Sequence, residues 1–214
     1  MRSINTRQAD TADDIEQIFA LRYDYYVVSR ELEIAADHAC RLLRDPRDSR
    51  SRQYGTFIGE DLVGCFRIEV GVPDDVAFGA DWTFGDFLDE IPSEIALVSG
   101  LCMVPYLRDE EAVIQHMVRE SVAFARELTL PHVFFETSPD LWLYFHSNGL
   151  TRKGGALIDR RTGLPTAVYQ LDCRPQSRFP YRDPDWSPAE RAGDFEFLPA
   201  PRKPRLKIVM GGRG

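Results

Sequence analysis

The stretch "SGLCMVPYLRDEEAVIQHMVRESVAFAREL", residues 99–128, decides how the rest is read. It closes an apolar run that begins at "EIALV" and has the length of a strand buried on both faces. Pro105 ends that run. From about Asp109 to Leu128, Val113, Met117, Val118, Val122, Ala125 and Leu128 recur on one helical stripe. A strand that feeds a helix presents unpaired amides to an anion. Here Asp109, Glu110 and Glu111 crowd the helix start, only Arg108 opposes them, and no glycine loosens the turn.

Outward from this unit, both flanks carry further elements. Toward the C-terminus, "HVFFETS" is a second buried strand and "PDLWLYFHSNGL" a short helix ending at Gly149. "GALIDRRTGLPTAVYQLD" is a hairpin around Thr162-Gly163. Toward the N-terminus, "QYGTFIGEDLVGCFRIEVG" is a hairpin turning at Gly59-Glu60-Asp61. "TADDIEQIFALRYDYYVVSREL" is a helix with Thr11 as N-cap and Asp14 in a capping-box position. It sets Ile15, Ile18, Phe19, Arg22 and Tyr26 near one face. A weaker helical stretch spans Leu32 to Leu43, "LLRDPRDSRSR" reads as a charged loop, and "TFGDFLDEI" as a short helix. "SINTRQA" reads as a small edge strand. The order predicts an α/β chain with a mixed central sheet flanked by helices.

The 214 residues suit one domain, 1–172, with a proline-rich basic extension, 173–214. Seven of the 14 prolines fall in that extension. The net charge of −8 divides into −14 over residues 1–150 and +6 over 151–214, an acidic body with a basic end. This disfavours general nucleic-acid binding and suits an acidic protein partner at the basic end. No apolar run approaches the ~18 residues of a membrane span, and the N-terminus has no signal-peptide core, so a cytoplasmic location is expected. Cys40, Cys65, Cys102 and Cys173 are far apart in sequence and do not cluster with His38, His116, His132 or His146. Free thiols are expected, with no metal site.

The strand-helix order over residues 1–172 resembles the acyltransferase fold of the GCN5-related N-acetyltransferases (GNAT). Within that superfamily the front half looks most like the autoinducer (acyl-homoserine lactone) synthases and the long-chain N-acyl amino acid synthases. "IFALRYDYY" supplies an aromatic-arginine-aromatic set, Phe19, Arg22 and Tyr26. "RDPRDSRSRQYGTF" supplies two acids three apart, Asp45 and Asp48. "VGCFRI" supplies Gly-x-x-Arg, Gly64 and Arg67. The relatives carry Glu-x-Ser-Arg on the central strand. Here "LVSGLCMV" keeps Ser99 but has Leu97 and Gly100 at the flanking positions, and Glu94 lies too early to replace the acid. Where ordinary acetyltransferases place a tyrosine, this chain has Phe145, with Tyr144 beside it.

The resemblance implies that a thioester donor enters between the two buried strands. Main-chain groups of Leu101, Cys102, Met103 and Val104 would grip its pantetheine arm, with Phe134 and Phe135 beside it, and one amide would polarise the carbonyl. The donor would be an acyl carrier protein or coenzyme A thioester, with no permanently bound cofactor. The acidic helix start favours the carrier, and the basic residues Arg152, Lys153, Arg160 and Arg161 would meet it. Equally, the three acids have an ordinary use against the helix dipole. Arg22, Tyr26, Asp45, Asp48 and Arg67 would form the acceptor pocket, the acids holding an ammonium and Arg22 or Arg67 a carboxylate. The alternative for these groups is a surface ion-pair network. Ser99, Glu136 and Tyr144 are the catalytic candidates, Glu136 as base and Tyr144 as donor to the leaving thiolate. Phe134, Phe135, Trp142 and Phe145 are expected in the core. The expected activity is transfer of a medium or long acyl chain to the amine of a small amino-acid-like acceptor. A coenzyme A-dependent acetyltransferase and a binding module that has lost the chemistry stand as alternatives.

Overall fold

A computed structural model describes residues 3–73, 76, 82–105 and 110–173. Seven strands form one sheet in the order β1-β2-β3-β4-β5-β7-β6. They are β1 (Ile4–Gln8), β2 (Ser51–Ile58), β3 (Asp61–Gly71), β4 (Ile95–Met103), β5 (His132–Thr137), β6 (Thr151–Ile158) and β7 (Pro165–Asp172). Every neighbouring pair is antiparallel except β4 and β5. That parallel pair needs a crossover, and α2 (Glu110–Glu127) supplies it. The strand-helix-strand unit read from residues 95–137 is therefore the centre of the sheet. The two hairpins are also present, with left-handed Gly59 (φ +68°) and Gly163 (φ +68°) in their turns.

The two faces of the sheet are different in kind. On one, α2 packs Val118, Val122 and Ala125 against Phe66, Ile68, Val98, Phe135 and Tyr169. Phe145, on α3 (Trp142–Ser147), joins this core. Gly64 admits α2 closely: a Cβ there would lie 2.3 Å from Met117 Sδ. On the other face lie α1 (Ala12–Tyr23) over Cys65 and Cys102, and an aromatic group of Trp82, Phe84 and Phe134. Period-two alternation puts Arg67 and Glu69 of β3 on this second face, opposite the side taken by Phe66 and Ile68.

Several local expectations are corrected. Thr11 caps α1 by accepting from the Asp14 amide, but the Asp14 carboxylate turns to Arg7 at 2.6 and 2.7 Å. No helix forms over residues 32–43; after α1 the chain makes one wide π turn, Asp24–Ser29, and then a loop. Left-handed Glu31 (φ +55°) and Arg41 (φ +57°) bracket that loop, Asp37 bridges to Leu42, and the Asp37 side chain takes the Cys40 amide. These local bonds compete with helix formation. The charged loop at 45–50 is instead a 3-10 turn, Pro46–Arg50, with Asp45 and Asp48 closing a reciprocal capping box. "TFGDFLDEI" contributes only the turn Phe84–Asp86. The expected extension, 173–214, lies outside the described residues apart from Cys173, as do positions 106–109 before α2.

Candidate acyl-transfer site

The parallel pairing of β4 and β5 is short. It runs from Ala96↔Val133 through Leu97↔Phe134 to Val98↔Phe135 and stops. β4 continues for five residues, Ser99 to Met103, and β5 for two, Glu136 and Thr137, which keep only the pairing with β7 that runs the whole length of β5. Ser99 and Glu136 are thus the first residues on each strand after the two part. Just beyond Ser99, Gly100 adopts φ +67°. Here the β3–β4 register slips: Arg67 opposes Ser99 while Cys65 opposes Cys102, which leaves an extra residue on β4. Such a bulge bends one strand from its neighbour, and the left-handed position suits glycine.

Over this parting lies a buried cluster of acids and guanidinium groups. Asp48 Oδ1 accepts from Arg22 Nη1 at 2.7 Å, Arg67 Nη1 at 3.0 Å and Gln53 Nε2 at 3.1 Å; its Oδ2 accepts from the Asp45 amide at 2.7 Å. Asp45 Oδ2 accepts from Arg47 Nη2 at 2.9 Å, Arg67 Nη2 at 3.0 Å and Arg161 Nη1 at 2.5 Å. Arg67 Nε donates to Ser99 Oγ at 2.9 Å, and Arg22 Nη2 to Gln53 Oε1 at 2.7 Å. Arg22, Arg67, Asp45 and Asp48 are each at least nine-tenths buried at the side chain. The four polar acceptor residues expected together are together, inside the protein, and not as a surface network.

The electrostatics follow from that burial. Desolvation alone would raise both acids. The bond from Arg47 and the charges of Arg67, Arg47 and Arg161 overcome it at Asp45, which is held far below the usual carboxylate range. Asp48 is likewise held down by Arg22 and Arg67. Burial would lower Arg22, but the neighbouring acidic groups raise it. At Arg67 burial and the nearby Arg47 and Arg22 win, and its affinity for the proton falls. Tyr26, on the π turn, is pushed well above the normal phenol range by burial.

Other candidates are placed differently. The acids were expected to hold a substrate ammonium; their oxygens are already taken up by guanidinium and amide donors. Arg161, expected on a basic docking surface, reaches into the cluster from the β6–β7 turn. Arg152 and Lys153, successive on β6, are both half-buried, and Arg160 is the one exposed member of that set. Glu136 accepts from Trp82 Nε1 at 3.1 Å and lies 3.7 Å from Arg47 Nη1. Tyr144 packs at the edge of the α2-side core. Phe134 and Phe135 take opposite faces, one against Trp82 and Phe84 and the other against Phe145. Leu97 is buried beside Phe134, Glu94 is exposed, and Glu111 is exposed and takes a bond from Gln115.

Sequence reading missed Gln53, Arg47 and Glu69. Glu69 is 2% exposed, opposes Leu97 in the β3–β4 register, and pairs with Arg50 at 3.2 Å. The signal for it was present, since Arg67-x-Glu69 puts both charges on one face of a strand. Among the described residues no acid-histidine-cysteine group is arranged to hold a metal ion, and no helix is long and apolar enough to cross a membrane.

No protein-family model matches the chain, and no curated sequence is significantly similar. Solved structures are. FeeM, an N-acyl amino acid synthase from uncultured soil microbes, superposes with a TM-score of 0.56 at 16% identity, over 80% of this chain and 91% of its own. The acyl-homoserine lactone synthase LasI gives 0.60 at 12% identity, over 81% and 92%. The CoA-dependent acyl-homoserine lactone synthase BjaI, in a structure with SAM and isopentyl-CoA, gives 0.59 at 21% identity, over 81% and 84%. With its seven-stranded mixed sheet and parting central strands, the chain has the GNAT-like acyltransferase fold, in a form similar to that of the acyl-homoserine lactone and N-acyl amino acid synthases.

Proposed function

We propose that the protein is an N-acyltransferase that moves an acyl chain from a carrier-protein or coenzyme A thioester to the amine of a small, amino-acid-like acceptor. The observation that carries this reading is the end of β4–β5 pairing at Val98↔Phe135, directly beside the buried arginine-acid cluster. A pantetheine arm would complete β4 along Leu101–Val104, as an added strand does. A main-chain amide there would polarise the thioester carbonyl, a contribution of roughly 10²–10³ in rate for one oxyanion donor. A thiolate leaves, so no protein nucleophile is needed.

The acceptor would enter from the cluster side. Arg22 Nε and Arg161 Nε are buried and have no hydrogen-bond partner, and they suit a carboxylate. Asp45 and Asp48 would position those guanidinium groups. Glu136, at the mouth of the parting, would take the amine proton, directly or through water. Ser99, held by Arg67, would orient the same end of the site.

The test is incubation with acyl-carrier and acyl-CoA donors of several chain lengths plus a pool of amino acids and related amines. Mass spectrometry of the released amides should show the donor's acyl group on a carboxylate-bearing amine. If neither donor loses its acyl group above background, the reading fails. Donor binding without turnover would identify a binding module.

A further inference from the structure

Two thiols lie under Arg22 that the acyl-transfer reading does not use. Cys65 on β3 and Cys102 on β4 oppose each other in the register, with Sγ atoms 3.4 Å apart. Both are reduced and buried, at 0% and 4% exposure. Directly opposed residues on antiparallel strands have Cα atoms ~4.5–5.5 Å apart, inside the ~4.4–6.8 Å span that a disulfide bridges. Forming a bond of ~2.05 Å would require the sulfurs to close by little more than an ångström, within the reach of side-chain torsions.

We propose that Cys65 and Cys102 are an oxidisable dithiol, a modification site that a hydroperoxide converts to a disulfide across β3 and β4. A buried cysteine often serves only as a small apolar side chain. This pair differs in its neighbours. The Arg22 guanidinium lies close by and favours a thiolate. The bond from the Cys102 thiol is the largest influence lowering Cys65, with the Arg22 charge also lowering it against the cost of burial. Cys102 is pushed the other way, chiefly by burial and by its bond to Cys65. One sulfur is thus poised as nucleophile and the other retains its proton.

The chemistry balances with hydrogen peroxide as oxidant. The Cys65 thiolate attacks one peroxide oxygen, the O–O bond breaks, and the departing hydroxide takes a proton to become water. The resulting sulfenic acid is attacked by the Cys102 sulfur. The S–S bond forms, the S–O bond breaks, and the hydroxyl leaves as a second water with the Cys102 proton. Two electrons pass from the sulfur pair to the peroxide.

The test uses the full chain carrying Cys40→Ser and Cys173→Ser, so that only this pair can react. After exposure to hydrogen peroxide, the folded protein is denatured in an alkylating reagent and weighed. The expected product has lost two hydrogen atoms, resists alkylation, yields a peptide cross-linked between residues 65 and 102, and returns to the dithiol with reductant. Adding Cys102→Ser should replace the cross-link by an added oxygen at Cys65. Full alkylation of both thiols after peroxide, or a disulfide that forms only after denaturation, overturns the proposal. Should the serine variants fail to fold, peptide mapping of the wild-type chain gives the same decision. The readout is independent of acyl transfer.

Discussion

Arg161 donates to Asp45 at 2.5 Å, tying the last hairpin of the sheet to a turn 116 residues earlier in the chain. Asp45 keeps Arg47 and Arg67 as partners without it. Arg161 is one-third exposed at the side chain, so the bond's net contribution to stability is small, about 0–1 kcal/mol. Its consequence is local, because it closes the cluster from the β6–β7 side. Arg161→Gln should leave the urea midpoint nearly unchanged and raise the acceptor KM several-fold, with the donor KM unaffected. An unaltered acceptor KM would remove Arg161 from the site.

Asp48 is a different case, since it is shared by two buried arginines. Asp48→Asn keeps the shape but leaves Arg22 and Arg67 without their common counter-charge. Breaking a buried pair in this way costs about 3–5 kcal/mol. Urea unfolding at neutral pH should show that loss, and adding Arg22→Met should recover part of it, because the stranded charge is gone. A stability within about 1 kcal/mol of wild type for Asp48→Asn alone would contradict a buried charge shared by the two arginines.

Particular elements explain what the sequence could and could not reveal. The apolar runs at 95–103 and 132–137 are strands buried along all or nearly all of their length, whose length and composition carry their identity, and α2 repeats its apolar residues at helical spacing. The hairpins carry their glycine turns. The stretch 32–43, expected as a weak helix, is a loop because local bonds such as that from the Cys40 amide to the Asp37 carboxylate compete with helix formation. The site was half legible. Arg22 stood out as a charge on an apolar helix face, and alternation put Arg67 on one face of β3. Asp45 and Asp48 looked like solvated loop residues because their partners come from α1, β3 and the distant β6–β7 turn. The meeting of Cys65 and Cys102 likewise depends on the bulge that sets the β3–β4 register, which no spacing in the chain announces.

Two glycines should respond differently to alanine. At Gly100 the nearest atom to an added Cβ is Arg22 Nη2 at 3.5 Å, so space is ordinary and the cost comes from φ +67°, about 1–2 kcal/mol. At Gly64 the added Cβ would meet Met117 Sδ at 2.3 Å, a packing conflict costing about 1–3 kcal/mol. Met117→Ala should therefore improve the stability of Gly64→Ala relative to the sum of the single changes, and do nothing for Gly100→Ala. Equal behaviour of the two pairs in a double-mutant cycle would refute this division.

Acid should reveal the buried carboxylates. Both are depressed in the folded protein, Asp45 more than Asp48, against ~3.9 for an unfolded aspartate. A depressed group stabilises the folded state above its unfolded value, and that stability is lost as the pH falls toward the folded value, because the unfolded chain binds the proton first. The pair's contribution should be complete above about pH 5 and drain away below about pH 4. Asp14, itself buried and held low by its bond to half-exposed Arg7, titrates in the same direction. Salt weakens its share more than that of the buried pair, because Arg7 reaches solvent. In high salt, the unfolding free energy of wild type should still fall steeply below about pH 4. Asp45→Asn should start from a lower plateau and fall less steeply, since one of the two protons no longer binds. If its acid limb is as steep as that of wild type, Asp45 is not the carboxylate the arginines hold ionised.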